Sequence, residues 1–95
     1  MDTVHVMDYP EKTQDYLKCI WDIERTGEPA SLSAIAGALA QKTPTASEAV
    51  KRLAARGLVE HQRYAGVVLT SAGRQVALAM VRRHRLIEMF LVRVL

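Results

Sequence analysis

LSAIAGALAQKTPTASEAVKRLAAR, residues 32–56, is the stretch whose pattern decides the fold. Leu32, Ile35, Ala36 and Leu39 recur at the spacing of one helical face, and Ser33 stands where an N-cap belongs, so a short helix is expected that ends by Gln41. Thr43 followed by Pro44 reads as a second N-cap and first helical residue. A further helix therefore starts only a few residues later, runs to Arg56 and stops at Gly57. Ala46, Ala49, Val50 and Leu53 give it an inner face, leaving Thr45, Ser47, Glu48, Lys51 and Arg52 outside. Two helices joined by so tight a turn predict a helix-turn-helix.

The flanks complete the unit. Upstream, residues 1–10 show no periodicity and are expected to be a flexible terminus. Pro10 then marks a helix start, and Tyr16, Leu17, Ile20, Trp21 and Ile23 recur at helical spacing as far as the stop at Gly27, giving a helix over residues 11–26. Downstream of Gly57 the period becomes extended. Leu58, Val59 and His61 lead through Gln62, Arg63, Tyr64, Ala65 and Gly66 into Val67, Val68 and Leu69, a β-hairpin in which Gly66 can take the positive φ that the tip demands. Thr70 or Ser71 then caps a last helix over 72–95, interrupted only by Gly73. Its far end carries Ile87, Phe90, Leu91, Val94 and Leu95, more apolar surface than a domain of this size covers. The expected architecture is mainly α with a small β-hairpin: a flexible start (1–10), a winged helix-turn-helix (11–70) and a long C-terminal helix (71–95).

Composition narrows the function. A chain of 95 residues allows one domain, and 49% hydrophobic residues supply a core and argue against disorder. The net charge of +3 is a mild basic bias that suits a polyanionic partner without requiring one. One cysteine, Cys19, forms no internal disulfide, and no secretory leader opens the chain, which places it in the cytoplasm. Glu88 and Arg93 break the apolar run at the end, so no membrane span is expected. An activated nucleophile, a phosphate-cradling glycine loop and a closed metal motif are all missing from the sequence, which speaks against an enzyme and against a small organic substrate.

The major groove of duplex DNA admits one α-helix and offers base edges to side chains near that helix's N-terminus. The helix beginning at Thr43 suits that role. Lys42, Thr43, Pro44, Thr45, Ser47 and Glu48 stand at its start to meet bases or phosphates, and Lys51 and Arg52 follow to neutralise flanking phosphates. Ser33 serves from the preceding helix, and Arg63 and Tyr64 from the wing. Each alone reads first as an ordinary polar residue on a solvated face. Their ordered arrangement carries the DNA-binding expectation.

The pieces DYL (15–17), SEAVKRLAARGLVE (47–60), RYAGVVLT (63–70), SAGR (71–74) and RRHRLIE (82–88) resemble the N-terminal part of the diphtheria toxin repressor and manganese transport regulator family. The similarity spans residues 14–95. It implies a bacterial repressor that a divalent metal, Mn²⁺ or Fe²⁺, stabilises as a homodimer on a palindromic operator near metal-uptake genes. It also implies three ligands. Asp15 stands where iron-type members have methionine and manganese-type members aspartate, and the hard carboxylate suits Mn²⁺ better than a thioether would. His84 and Glu88 match the histidine and glutamate of the long helix, four residues apart on one face; spacing alone favours a surface hydrogen bond, and the resemblance reverses that. Lys18 departs from the pattern, standing where manganese regulators have a second acidic ligand, which puts a two-metal arrangement in question. Cys19 reads as core, His5 as a terminal residue and His61 as a strand residue. The family's second domain, with most of the dimer interface and the remaining ligands, would follow residue 95. Two other functions fit the same residues: a metal-independent winged-helix regulator, whose DNA affinity ignores a chelator, and a protein-interaction wing domain, whose partner duplex DNA does not displace.

Overall fold

The computed structural model describes residues 9–94, and of Phe90 and residues 92–94 the backbone only. The expected flexible start therefore falls almost wholly outside the described residues, as do His5 and Leu95. In chain order the elements are α1 (Glu11–Arg25), α2 (Leu32–Ala38), α3 (Thr43–Ala55), β1 (Val59–Gln62), β2 (Gly66–Leu69) and α4 (Ser71–Val94). This is the expected winged helix-turn-helix with its long final helix.

α1 buries Tyr16, Leu17, Cys19 and Ile20 along one stripe. It ends where Thr26 Oγ1 donates to the Ile23 carbonyl at 2.6 Å and Gly27 adopts φ +84°. α2 starts two residues earlier than its sequence suggests. Ala30 lies in a parallel bridge with Gly66, and Val67 N–H donates to the Ala30 carbonyl at 2.9 Å, which holds the chain extended through Ser31. Ser31, not Ser33, is consequently the N-cap, its Oγ accepting from Ala34 N–H at 3.0 Å. Pinned this way, Ser33 becomes an exposed residue of the first helical turn.

The turn between α2 and α3 closes with Ala40 at φ 53° and Gln41 N–H donating to the Ala36 carbonyl at 2.8 Å. That is the left-handed C-terminal cap usually given to glycine. α3 begins one residue early: Lys42 occupies the N-cap and Thr43 is already helical, so Pro44 sits second. Pro44 is tolerated there because no amide of the first turn has an intrahelical acceptor to lose. Gly57, at φ +75°, then lets Leu58 N–H return to the Leu53 carbonyl and turns the chain into β1.

β1 and β2 pair antiparallel, with Val59 opposite Leu69 and His61 opposite Val67. Val59, Val67 and Leu69 face the core, joined there by Leu17, Ile20, Ile35 and Val76. Full burial of one such side chain contributes about 1.5–3 kcal/mol. Thr70 caps α4, its Oγ1 accepting from Gly73 N–H at 3.1 Å while donating to the Gly57 carbonyl at 2.6 Å. Glu24 ties the layers together, one carboxylate oxygen accepting from Leu69 N–H at 3.2 Å and the other 3.1 Å from the Arg74 guanidinium. Along α4, Val76 and Ala77 are buried, but from Arg82 through Met89 the described side chains are exposed, Leu86, Ile87 and Met89 among them. Among the described residues no helix is long and apolar enough to cross a membrane.

Candidate nucleic-acid interface and metal ligands

With Ala46, Val50 and Leu53 turned into the core, α3 presents the rest of its surface outward. Lys42, Thr43, Pro44, Thr45, Glu48, Lys51 and Arg52 are exposed, and Ser47 is half-buried. Within that face Lys51 Nζ lies 3.8 Å from Glu48 Oε1, a loose surface pair that leaves the ammonium open to other anions. Arg63 and Tyr64 occupy the turn between β1 and β2. The Arg63 guanidinium lies 5.5 Å from the Tyr64 ring centroid, and Tyr64 is 84% exposed. A stacked guanidinium keeps its hydrogen-bonding edge available.

A cleft of about 420 Å³ opens between the start of α1 and the flank of α3, lined among others by Lys12, Asp15, Tyr16, Thr45, Arg52 and Arg56. Burial pushes the Tyr16 phenol above its ordinary range, the Arg52 charge opposing and Cys19 adding to the rise. The Arg56 guanidinium lies 5.1 Å above the Tyr9 ring. Lys12 and Arg56 are not marked by the sequence. They are 44 positions apart, and only the packing of α1 on α3 brings them to one cleft.

His84 and Glu88 do meet, Nε2 to Oε1 at 3.2 Å, with side chains 67% and 64% exposed. Their nitrogen and oxygen are donors that both Mn²⁺ and Fe²⁺ accept, so the pair fits part of such a shell. Asp15 does not join them. It lines the cleft against α3 and a shallower recess beside Cys19 and Asp22. The α1 residues in the recess of His84 are Gln14 and Lys18, and Lys18 pairs with Asp22 at 3.1 Å. Among the described residues no three His, Cys, Asp or Glu side chains gather closely enough to hold an ion. Cys19 is buried, and burial first, then Asp22, push its thiol up against the opposing charge of Lys18, so it stays protonated at neutral pH.

Residues 8–67 match the model of the iron dependent repressor N-terminal DNA binding domain. The chain belongs to the iron-dependent repressor family. Residues 70–95 of this family member match the model of the iron dependent repressor metal binding and dimerisation domain. The chain is 38% identical over 88 residues to the iron-dependent repressor IdeR of Mycobacterium leprae, covering 93% of itself and 38% of that relative. Among solved structures, a manganese-dependent transcriptional repressor in complex with manganese superposes with a TM-score of 0.73 at 47% identity, over 84% of this chain and 36% of the other. The manganese regulator SloR does so with a TM-score of 0.71 at 38% identity, over 85% and 38%. The iron-dependent repressor chain described here thus spans well under half the length of the proteins it matches.

Proposed function

We propose that this protein is a metal-dependent transcriptional repressor that grips double-stranded DNA with α3 in the major groove and the wing beside it. The observation that carries the proposal is the outward face of α3, polar from Lys42 to Arg52 and exposed, in a chain matched over residues 8–67 by a DNA-binding-domain model. Thr45, Ser47 and Glu48 read base edges; Ser33, Lys42, Thr43, Pro44, Lys51 and Arg52 fix the helix on phosphates; Arg63 and Tyr64 extend the grip from the wing. Pro44 contributes through the backbone it shapes.

His84 and Glu88 would hold a divalent ion, Mn²⁺ or Fe²⁺, and Asp15 would be a donor in a separate position whose other ligands follow residue 95. A bound ion there supplies charge that links side chains of two domains. The protein's own share is to fix α4 against the helix-turn-helix through Thr70 and Gly73, so that α4 and α3 move as one body. A homodimer would set two copies of α3 one helical turn apart on a palindromic operator. The mild basic charge supports this, and the apolar exposure of Leu86, Ile87, Met89 and Leu91 supports a covering domain or second copy on α4.

The test is operator binding by the protein extended through its second domain, in Mn²⁺, in Fe²⁺ and in chelator. Affinity that rises with metal supports the proposal. Affinity that ignores the chelator leaves a metal-independent winged-helix regulator, and no competition by duplex DNA for a protein partner leaves an interaction domain. Calorimetry separates the ligands: His84→Ala and Glu88→Ala should weaken metal binding without loss of fold, and Asp15→Met should shift preference away from Mn²⁺.

A further inference from the structure

The cleft between α1 and α3 gathers positive charge beside the recognition face. Lys12, Arg52 and Arg56 line it, all exposed, against the single carboxylate of Asp15. The ion pairs of the described residues join Lys18 to Asp22, Lys51 to Glu48, Arg74 to Glu24 and His84 to Glu88, and none of them engages these three cations. Stacking on Tyr9 holds the Arg56 guanidinium by its face and leaves its donor edge free.

Position on α3 decides what such a cluster meets. Thr45, Arg52 and Arg56 fall at i, i+7 and i+11, which share one flank of the helix, whereas Glu48 and Lys51 lie round its outer side. A helix seated in the major groove has a phosphate backbone along each flank. The cleft therefore opens where one of those backbones passes, beside Thr45. Lys12, in the first turn of α1, adds its ammonium at the positive end of that helix.

We infer that this cleft seats a backbone phosphate on one wall of the major groove, with Lys12, Arg52 and Arg56 as its donors. The inference rests on α3 being the recognition helix, and it adds Lys12 and Arg56 to the contacts. Guanidinium groups approach a phosphate edge-on with paired N–H donors, and the lysine acts as a point charge.

Fluorescence anisotropy of the protein extended through its second domain, in Mn²⁺, on a labelled duplex, with salt varied between about 50 and 200 mM, tests it. Lys12→Gln and Arg56→Gln keep the aliphatic stems and remove the charge. Each should flatten the slope of log affinity against log salt by about 0.9 and weaken all sequences alike. Arg25→Gln, at the far end of α1, is the control and should leave the slope unchanged. Circular dichroism melts of all variants should match the parent, because the replaced heads are exposed. Three results overturn the inference: parental slopes for Lys12→Gln and Arg56→Gln while Lys51→Ala flattens the slope, which leaves the recognition helix standing; a change in base preference, which makes Arg56 a base contact; or tight inorganic phosphate binding without any effect of the variants on DNA, which makes the cleft a site for free anions. A parent chain with no salt-dependent affinity for duplex DNA overturns the proposed function itself.

Discussion

Gly73→Ala should unfold this domain at a markedly lower temperature, although a helical glycine is ordinarily improved by alanine. A Cβ built on Gly73 falls 1.9 Å from the Leu58 carbonyl oxygen, 2.9 Å from its carbon and 3.4 Å from Leu58 Cα. All three are backbone atoms, so no rotamer change relieves the overlap. Ordinary contact begins at 3.4 Å, so the first turn of α4 must retreat by roughly 1.5 Å. Leu58 cannot yield instead: it is buried, and its carbonyl already accepts from Thr70 N–H at 3.1 Å. Retreat breaks the cap in which Thr70 Oγ1 accepts from Gly73 N–H and donates to Gly57.

Overpacking costs about 1–3 kcal/mol and loss of the cap about 1 kcal/mol more. Helix propensity returns about 1 kcal/mol. The net loss is about 1–3 kcal/mol, which for a domain of this length lowers Tm by about 4–24 °C. Gly37→Ala is the control, since Gly37 is likewise helical but, unlike the buried Gly73, exposed, and its added Cβ meets nothing within 4 Å. It should gain about 0.5 kcal/mol. Thermal and urea unfolding followed by circular dichroism at the helix band, on parent and both variants, gives the comparison. Equal or greater stability for Gly73→Ala would show that α4 does not dock on the α3–β1 turn as described.

Ala40→Gly should raise stability by about 0.5–1 kcal/mol, because relief of the left-handed conformation at φ 53° outweighs the added freedom of the unfolded chain; a lower urea midpoint contradicts it. Cys19 and Tyr16 both have acid groups raised by burial, so the native state holds protons that the unfolded state releases first. Their contribution is fully present at neutral pH and is lost as pH climbs past the ordinary values of 9.0 and 10.0. Urea midpoints should therefore fall above pH 9, and Cys19→Ala should remove the earlier part of the fall; a flat profile to pH 10.5 refutes the assignment. On DNA, Lys51→Ala should weaken every duplex and flatten the salt slope, whereas Thr45→Ala or Ser47→Ala should also change preference among operator variants, as a panel of single-base substitutions would reveal.

What could be read from the sequence follows the range of the forces involved. The stripes Tyr16–Leu17–Ile20 and Ala46–Val50–Leu53 are local periodicities, and the burial they predict is what the structure shows. Gly57 and Gly66 were legible because a positive φ is a local demand, and both have one. The sequence pattern places the start of α2 two residues late, for a tertiary reason, and that of α3 one residue late, for a permissive one. Ser31 and Ser33 are equally good caps by composition, and only the bridge of Ala30 to Gly66 selects between them. Pro44 fits either of the first helical positions, so it could not fix the start of α3.

The candidate sites divide along the same line. His84 and Glu88 are neighbours on one helix, and a spacing of four residues brought them together as expected. Asp15 depends on how α1 is rotated against α4. That rotation is set by the burial of Tyr16, Leu17 and Ile20, which turns Gln14 and Lys18 toward His84 and leaves Asp15 on the side of α3. A donor set spread over two helices is therefore hostage to the core beneath it. The same rotation that withholds Asp15 from His84 brings Lys12 beside Arg52 and Arg56, so the packing that divides the metal donors also assembles the cationic cleft beside the recognition helix.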